Sequence, residues 1–459
     1  LNLKLNFVLS LTLIALIVPT AYAQLPILVW SHTTYPSDTL DIAVSKDGQY
    51  VAAVGKFWSD KWGDTVGQIR FYGRASGTPL WTWTTEDTTG EEFYSVAISA
   101  DGDSVVAGGM IHVFYWKNAR SIRGTQEPTW QGLDVVIDSY ETRCLDISDD
   151  GNYVVYCGPR DDYGIIYYWS DAKTRTETSV SATWKYSADD FFKAVDLSSN
   201  GDFVAAGFGR NVGYWKNART LTGDPQNPDW ISTKPNDLVV DLAVSDDGNY
   251  VAAAAGLDTV YYWSGANHLS GDPSSTWESG LETSFTSIDM SCDGDSVIAG
   301  TGHAEVQFWD GATGLSDTPP PTWTATTRPG ARIEDVEMND AGTYMAVVAS
   351  VPTEDAPLFY FTAYFFDRVG VLKWEYPYPP GAWYTVSISL SRDGGSLAAG
   401  TSMPFTAYLF DTGFGSAPVG GYLAPVSMPA ILGPYVALAL LVLGIGAVTV
   451  LEHRKKHNS

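Results

Sequence analysis

Basic residues are scarce in this chain. Its 459 residues include 27 Lys and Arg against 53 Asp and Glu, a formal charge of −26. Nucleic acid needs clustered Lys and Arg to meet its phosphates, so it is excluded as a partner. Cysteine is nearly absent: Cys144, Cys157 and Cys292 are too few for a disulfide-built scaffold. The histidines His32, His112, His268 and His303 are scattered without metal-ligand spacing, and His453 and His457 lie in the expected cytoplasmic tail. There is no Gly-x-Ser-x-Gly, no phosphate-cradling loop and no Asn-x-Ser/Thr acceptor. These gaps predict a protein without a catalytic constellation, without a metal site and without N-glycans.

Long hydrophobic runs occur only near the two ends. Residues 1–23 place Lys4 before "FVLSLTLIALIVP" and end in Ala21-Tyr22-Ala23, the pattern of a secretory signal cleaved before Gln24. Residues 430–451 carry no charge; as a helix they would reach about 33 Å, enough to span a bilayer. Arg454, Lys455 and Lys456 follow in the 452–459 tail, which the positive-inside rule keeps cytoplasmic. The expected organisation is a signal at 1–23, an ectodomain at 24–413, a linker at 414–429, one membrane span and a cytoplasmic tail.

Between the runs, one hairpin is written eight times. Examples are "DIAVSKDGQYVAAVG" from 41, "SVAISADGDSVVAGG" from 95 and "DLAVSDDGNYVAAAAG" from 241. The turn glycines, 48, 102, 151, 201, 248, 294, 342 and 394, recur every 46–54 residues. Alternating Val and Ile make a strand, and Asp-Gly reverses it because glycine accepts positive φ. Ser at the start of the turn can bond the local backbone. The second strand is small and apolar on both faces, which suits packing between two sheets. A third strand follows ("HVFYWKN", "IIYYWSD"), then a fourth carrying Trp ("NPDWIST", "PPTWTAT").

The eighth unit ends at Asp411 without a Trp strand, while "PILVWSHTT" at 26–34 precedes the first hairpin. The sets complete themselves only if the chain closes into a ring. The predicted fold is all-β: an eight-bladed β-propeller of four-stranded blades, with the N-terminal strand finishing the last blade.

The unit resembles the WD-repeat propeller over roughly residues 26–413, through the Ser-x-Asp-Gly turn, the small second strand and Trp116, Trp169, Trp215, Trp263 and Trp309 ending strand three. Only Trp309-Asp310 reproduces the literal Trp-Asp pair, and the usual Gly-His is missing. "SGTPLWTWTT" also resembles quinoprotein-like propellers, and the C-terminal tail is similar to anchors of exported archaeal surface proteins. The WD-repeat resemblance implies that the first strand of each hairpin lines a central channel and the Trp strand lies outermost. The Ser-x-Asp-Gly turns then share one face, and the opposite loop face binds partners.

Candidate residues follow from that geometry. Trp58 and Trp62 stand in a long polar loop, "KFWSDKWGDTVGQ", where two Trp would serve either recognition or packing onto the ring. Glu91, Glu92, Phe191, Phe192, Trp383 and Tyr384 precede inner strands on the same face; they could bind sugars, peptides or cations, or simply be solvated acids and core aromatics. Asp41, Asp241 and Asp335 share one inner-strand position, and Asp146, Asp196, Asp289 and Glu337 another; they could hold a cation or bond neighbouring blades. Asp146-x-Ser148-x-Asp150-Gly151 mimics a calcium loop, but its twelfth position is Cys157 rather than Glu. A hairpin register that sets Ser148 opposite Tyr153 also sets Cys144 opposite Cys157 and permits a disulfide. A register shifted by one forbids it.

The reading is an extracellular, membrane-anchored binding or scaffolding module for proteins or glycans. A quinone-dependent dehydrogenase and a cell-envelope subunit are the alternatives. No cofactor is expected; Ca²⁺ and a quinone are the two that the sequence leaves open.

Overall fold

The computed structural model describes residues 26–34, 37–87, 90–109, 112–132, 144–160, 163–256, 259–280, 283–352, 359–379, 384–402 and 405–415. The signal and span readings, and Trp383, lie outside them. Among the described residues no helix is long and apolar enough to cross a membrane.

Each repeat folds as one antiparallel sheet of four strands, as the spacing predicts. Blade 5 is representative: Val239–Val244 is innermost, then Tyr250–Ala255, Val260–Ser264 and Trp277–Glu278. There are eight such blades. The last is built from Tyr384–Leu390, Ser396–Ser402 and Phe405–Asp411, and Ile27–Thr34 completes it. That strand pairs antiparallel from Ile27 opposite Asp411 to Thr34 opposite Phe405. The ring therefore closes through hydrogen bonds between the two ends of the propeller.

Small second strands make the close blade packing possible. In blade 5, Ala253 and Ala255 pack toward blade 4, while Ala252 and Ala254 pack toward blade 6. A larger side chain on either face would force the sheets apart. At the turns, all eight glycines have φ between 61° and 75°. Gly248 also lies against the preceding blade, where an added Cβ would meet the Phe203 ring at 2.2 Å. The turn serine acts as expected: Ser245 Oγ donates to Asp247 at 2.8 Å and accepts from Tyr250 N–H at 3.0 Å.

Neighbouring blades are stapled at two radii by aromatics. Outermost, eight tryptophans (Trp30, Trp81, Trp130, Trp184, Trp230, Trp277, Trp323 and Trp374) each donate Nε1–H to a carbonyl of the next blade at 2.9–3.3 Å. Halfway in, the Tyr115, Tyr168, Tyr214 and Tyr262 hydroxyls donate to the carbonyls of the next turn glycines, 151, 201, 248 and 294, at 2.5–2.8 Å.

Blades 2–6 add a strap. After strand three the chain makes a short 3-10 turn and then runs along the outer edge of the preceding blade, pairing in parallel. Trp81 pairs with Gly124, Gln131 with Ser179, Trp184 with Gly223, Trp230 with Gly271 and Trp277 with Asp317. The Trp ending strand three holds the strap: Trp116, Trp169, Trp215, Trp263 and Trp309 donate Nε1–H to its carbonyls at 2.8–3.4 Å. These are the residues on which the WD-repeat resemblance rests.

Candidate binding face and channel

The inner strands surround a cavity of about 890 Å³. Its acids are staples between blades. Asp41 accepts from Val96 N–H, Asp241 from Ile288, and Asp335 from Ile388, all at 2.9–3.0 Å. In the second row, Asp146 accepts from Leu197 N–H at 3.1 Å, Asp196 from Val244 at 2.6 Å and Asp289 from Met338 at 2.6 Å. Glu337 accepts from Leu390 N–H. Every one of these donors belongs to the next blade.

Burial changes the acids' protonation. It pushes Asp146 up to about 6 and Asp289 up to about 7, the latter helped by the charges of Asp241 and Asp335. Asp196, buried against Asp146, and Glu337, buried against Asp289 and Asp335, are held well above the carboxylate range. Much of the row is thus neutralised by protons and backbone N–H groups. The calcium-loop resemblance dissolves here: Asp146 points into the ring, whereas Asp150 accepts from Ser148 Oγ and Asn152 N–H within its own turn.

On the turn side the channel narrows. The second residue before each turn glycine stands on this side, and several successive blades join through its backbone. Ala100 N–H donates to Asp149 O, Asp246 to Cys292, Cys292 to Asp340 and Arg392 to Lys46, at 2.9–3.0 Å. Their side chains form a charge plug. Lys46 pairs with Asp149 at 2.8 Å and Asp246 at 3.4 Å, and Arg392 with Asp149 at 3.0 Å and with Asp340. Burial opposes the Lys46 charge, but Asp149 and Asp246 outweigh it and raise its pKa. Asp246, Cys292 and Asp340 converge within 4.8 Å, and Lys46 and Arg392 already supply the balancing charge. Lining up the second residue before each turn glycine would have revealed this ring from sequence.

The other mouth opens on the loop face, lined by Lys56, Tyr94, Lys193, Arg332 and Glu334. Here the structure sorts the sequence candidates. The segment expected as a loop at 56–68 is an extended hairpin instead: Tyr50–Ser59 and Asp64–Gly73 remain paired to Ser59 opposite Asp64. Gly63, at φ 65°, makes the turn. Trp58 is 54% and Trp62 47% exposed on this projection. Trp62 Nε1 donates to Glu86 O at 2.6 Å and its ring covers Gly90, so the hairpin is braced.

Glu91 and Glu92 are buried and occupied. Glu91 bonds His112 through both the ring, at 2.7 Å, and the backbone N–H, at 3.0 Å. Glu92 pairs with Lys56 at 3.2 Å and accepts from Thr65 and Tyr94 hydroxyls. Phe191 is exposed, while Phe192 is buried with its ring 5.0 Å from that of Phe208. Adjacent residues at a strand start point to opposite sides, so only one of such a pair can be a surface group. Tyr384 begins the inner strand of blade 8. Leu238 and Tyr360 are exposed at loop-face strand ends, and no local sequence signal separates them from core residues.

Cys144 and Cys157 stand opposite each other, with Cys157 N–H donating to Cys144 O at 2.9 Å. The register is the one that permits a bond, and both are buried thiols. Burial and the neighbouring thiol raise the Cys157 pKa well above its ordinary value.

The fold is that of WD40-type propellers. The chain is similar to the Chaetomium thermophilum Sqt1 structure, bound there to the N-terminus of the ribosomal protein L10, with TM-score 0.64 and 14% identity over 84% of this chain and all of that one. It is similar to the C-terminal WD40 domain of Sif2, with TM-score 0.57 and 12% identity over 85% of this chain and 99% of that one. The computationally designed Ika8 protein gives TM-score 0.56 and 15% identity over 84% and 99%. No protein-family model and no curated protein matches the sequence.

Proposed function

We propose that this protein is a binding or scaffolding module, anchored at the cell surface, that recognises a protein or glycan with its loop face and performs no chemistry. The observation that carries the reading is the braced hairpin bearing Trp58 and Trp62. Two large aromatics are held in solvent on a fixed support, which is how a surface prepays the entropy of binding. The channel supports the reading differently: its acids are spent on holding blades together. The protein-bound state of the Sqt1 propeller is consistent with a peptide partner. The end runs of the sequence support export and anchoring.

The test presents the full chain and its Trp58→Ala/Trp62→Ala variant to intact source cells, with cross-linking, and to a glycan array. A partner recovered by the parent and lost at least tenfold by the variant is expected, a change of about 1.4 kcal/mol or more. Equal recovery would reject the loop face as the binding surface.

A further inference from the structure

Blade 6 ends differently from the five blades before it. In blades 2–5 the N–H after or beside the outer Trp is taken by a strap: Gln131 donates to Thr178 O, Lys185 to Gly223 O, Ile231 to Gly271 O and Glu278 to Asp317 O, at 2.9–3.1 Å. The corresponding group in blade 6 is Thr324 N–H, and among the described residues no strap pairs with it. The cause is the short connection in blade 7. Its turn closes with Gly370 N–H donating to Asp367 O at 2.9 Å. Arg368 O still accepts from Trp323 Nε1 at 3.0 Å, and Gly370 lies against the Trp323 ring, but the chain turns back before reaching the edge.

The result is an uncovered apolar strip. Trp323 is partly exposed, whereas the outer tryptophans of blades 1–5 are buried. Val369 beside it is 75% exposed, and Val371 and Leu372 are exposed as well. The edge strand Trp323–Thr326 reads "WTAT". It carries no Lys, Glu or Pro to guard it, the usual protection of an open edge. Arg368, whose carbonyl receives Trp323, has its side chain committed to Asp310 and Asp295.

The straps show what such an edge accepts. Their pairing residues are Gly124-Thr125, Ser179-Val180, Gly223-Asp224, Gly271-Asp272 and Asp317-Thr318, and the last three pairs run directly into proline. A small or short polar residue faces the Trp, and proline ends the pairing.

We propose that the outer edge of blade 6, Trp323–Thr326, receives an extended segment of a partner protein as a parallel fifth strand, with a Gly-Asp-Pro-type sequence set against Trp323 and an apolar side chain over Val369 and Val371. This is strand addition on the rim, away from the loop face. A second copy of this chain fits less well. Edge-to-edge pairing across a two-fold axis is antiparallel, whereas the pairing that covers the other blades is parallel, and two chains of charge −26 repel.

The probe is a fluorescent peptide copying this protein's own strap, "ANHLSGDPSST" (266–276), titrated by anisotropy against the full chain. Saturable binding is expected, weakened at least tenfold by Val369→Asp/Val371→Asp in the protein and by Gly→Val at the peptide position copied from Gly271. The peptide change leaves the fold of the protein untouched. A photo-cross-linker in the peptide should label 323–326. Absence of saturable binding, or binding indifferent to both changes, overturns the proposal. A concentration-dependent dimer dissolved by the same Asp substitutions would give the edge to a second copy and overturn it too.

Discussion

Blades 2–6 and blades 7, 8 and 1 share one inner hairpin but differ at the rim. The first group ends strand three in Trp and sends a strap over its neighbour. In the second group Trp gives way to Phe366, Phe410 and Tyr72, and among the described residues no strap pairs with the outer strands of blades 6, 7 or 8. Blade 8 is finished by the N-terminal strand, and there Gly77 of blade 1 approaches Ser31 O closely instead. Among the described residues, six of the ten large exposed hydrophobics, Ile27, Leu28, Tyr360, Val369, Val371 and Leu372, fall on blades 7 and 8. Inner-ring closure and outer-rim protection are therefore separate tasks, met by separate residues.

The largest expected effect compares the outer tryptophans. Trp230→Ala empties a fully buried, strapped site and should cost about 3–5 kcal/mol in chemical denaturation. Trp323→Ala, at the strapless edge, should cost less than half of that, and equal losses would erase the distinction drawn between the two groups of blades.

A second contrast is inside the channel, where blades 3, 4, 6 and 7 carry the second-row acids and blades 1, 2, 5 and 8 carry Ala43, Ala97, Ala243 and Ser389. A carboxyl whose pKa is raised on folding stabilises fully below its unfolded value, near 4, and its contribution is lost as pH rises through the folded value. Asp146 near 6 and Asp289 near 7 place that loss between about pH 4 and 7. The Asp289→Asn variant should flatten the parent's slope across this window, by on the order of 2–4 kcal/mol in total; parallel pH profiles would refute proton storage at Asp289.

The smallest effect is local. Amide exchange at Thr324 should run roughly tenfold or more faster than at Lys185, Ile231 or Glu278, whose N–H groups are held by straps. Comparable protection would mean that the blade 6 edge is already covered.

Much of this was legible beforehand because a repeat multiplies its own signal. One Ser-x-Asp-Gly turn says little, but eight turn glycines at even spacing, with a Trp strand surplus at the start and missing at the end, dictate a closed ring. The site was less legible. Glu91 and Glu92 look like free loop acids in the sequence, yet His112, Lys56, Thr65 and Tyr94 close on them from other strands. Phe191 and Phe192 are indistinguishable in composition, and the strand's pleat alone exposes one and buries the other. The straps are not legible in the sequence because short stretches such as Gly223-Asp224-Pro225 and Gly271-Asp272-Pro273 have the composition of any turn between two strands.

By itself the sequence determined the strands, the turns, the number of blades and the closure, since alternation, glycine conformation and repeat length are local properties. Only the tertiary structure decided which acids are staples, which tryptophans are exposed and which blade edges stay open. Those depend on what the neighbouring blade, some fifty residues away in the chain, brings within hydrogen-bonding distance.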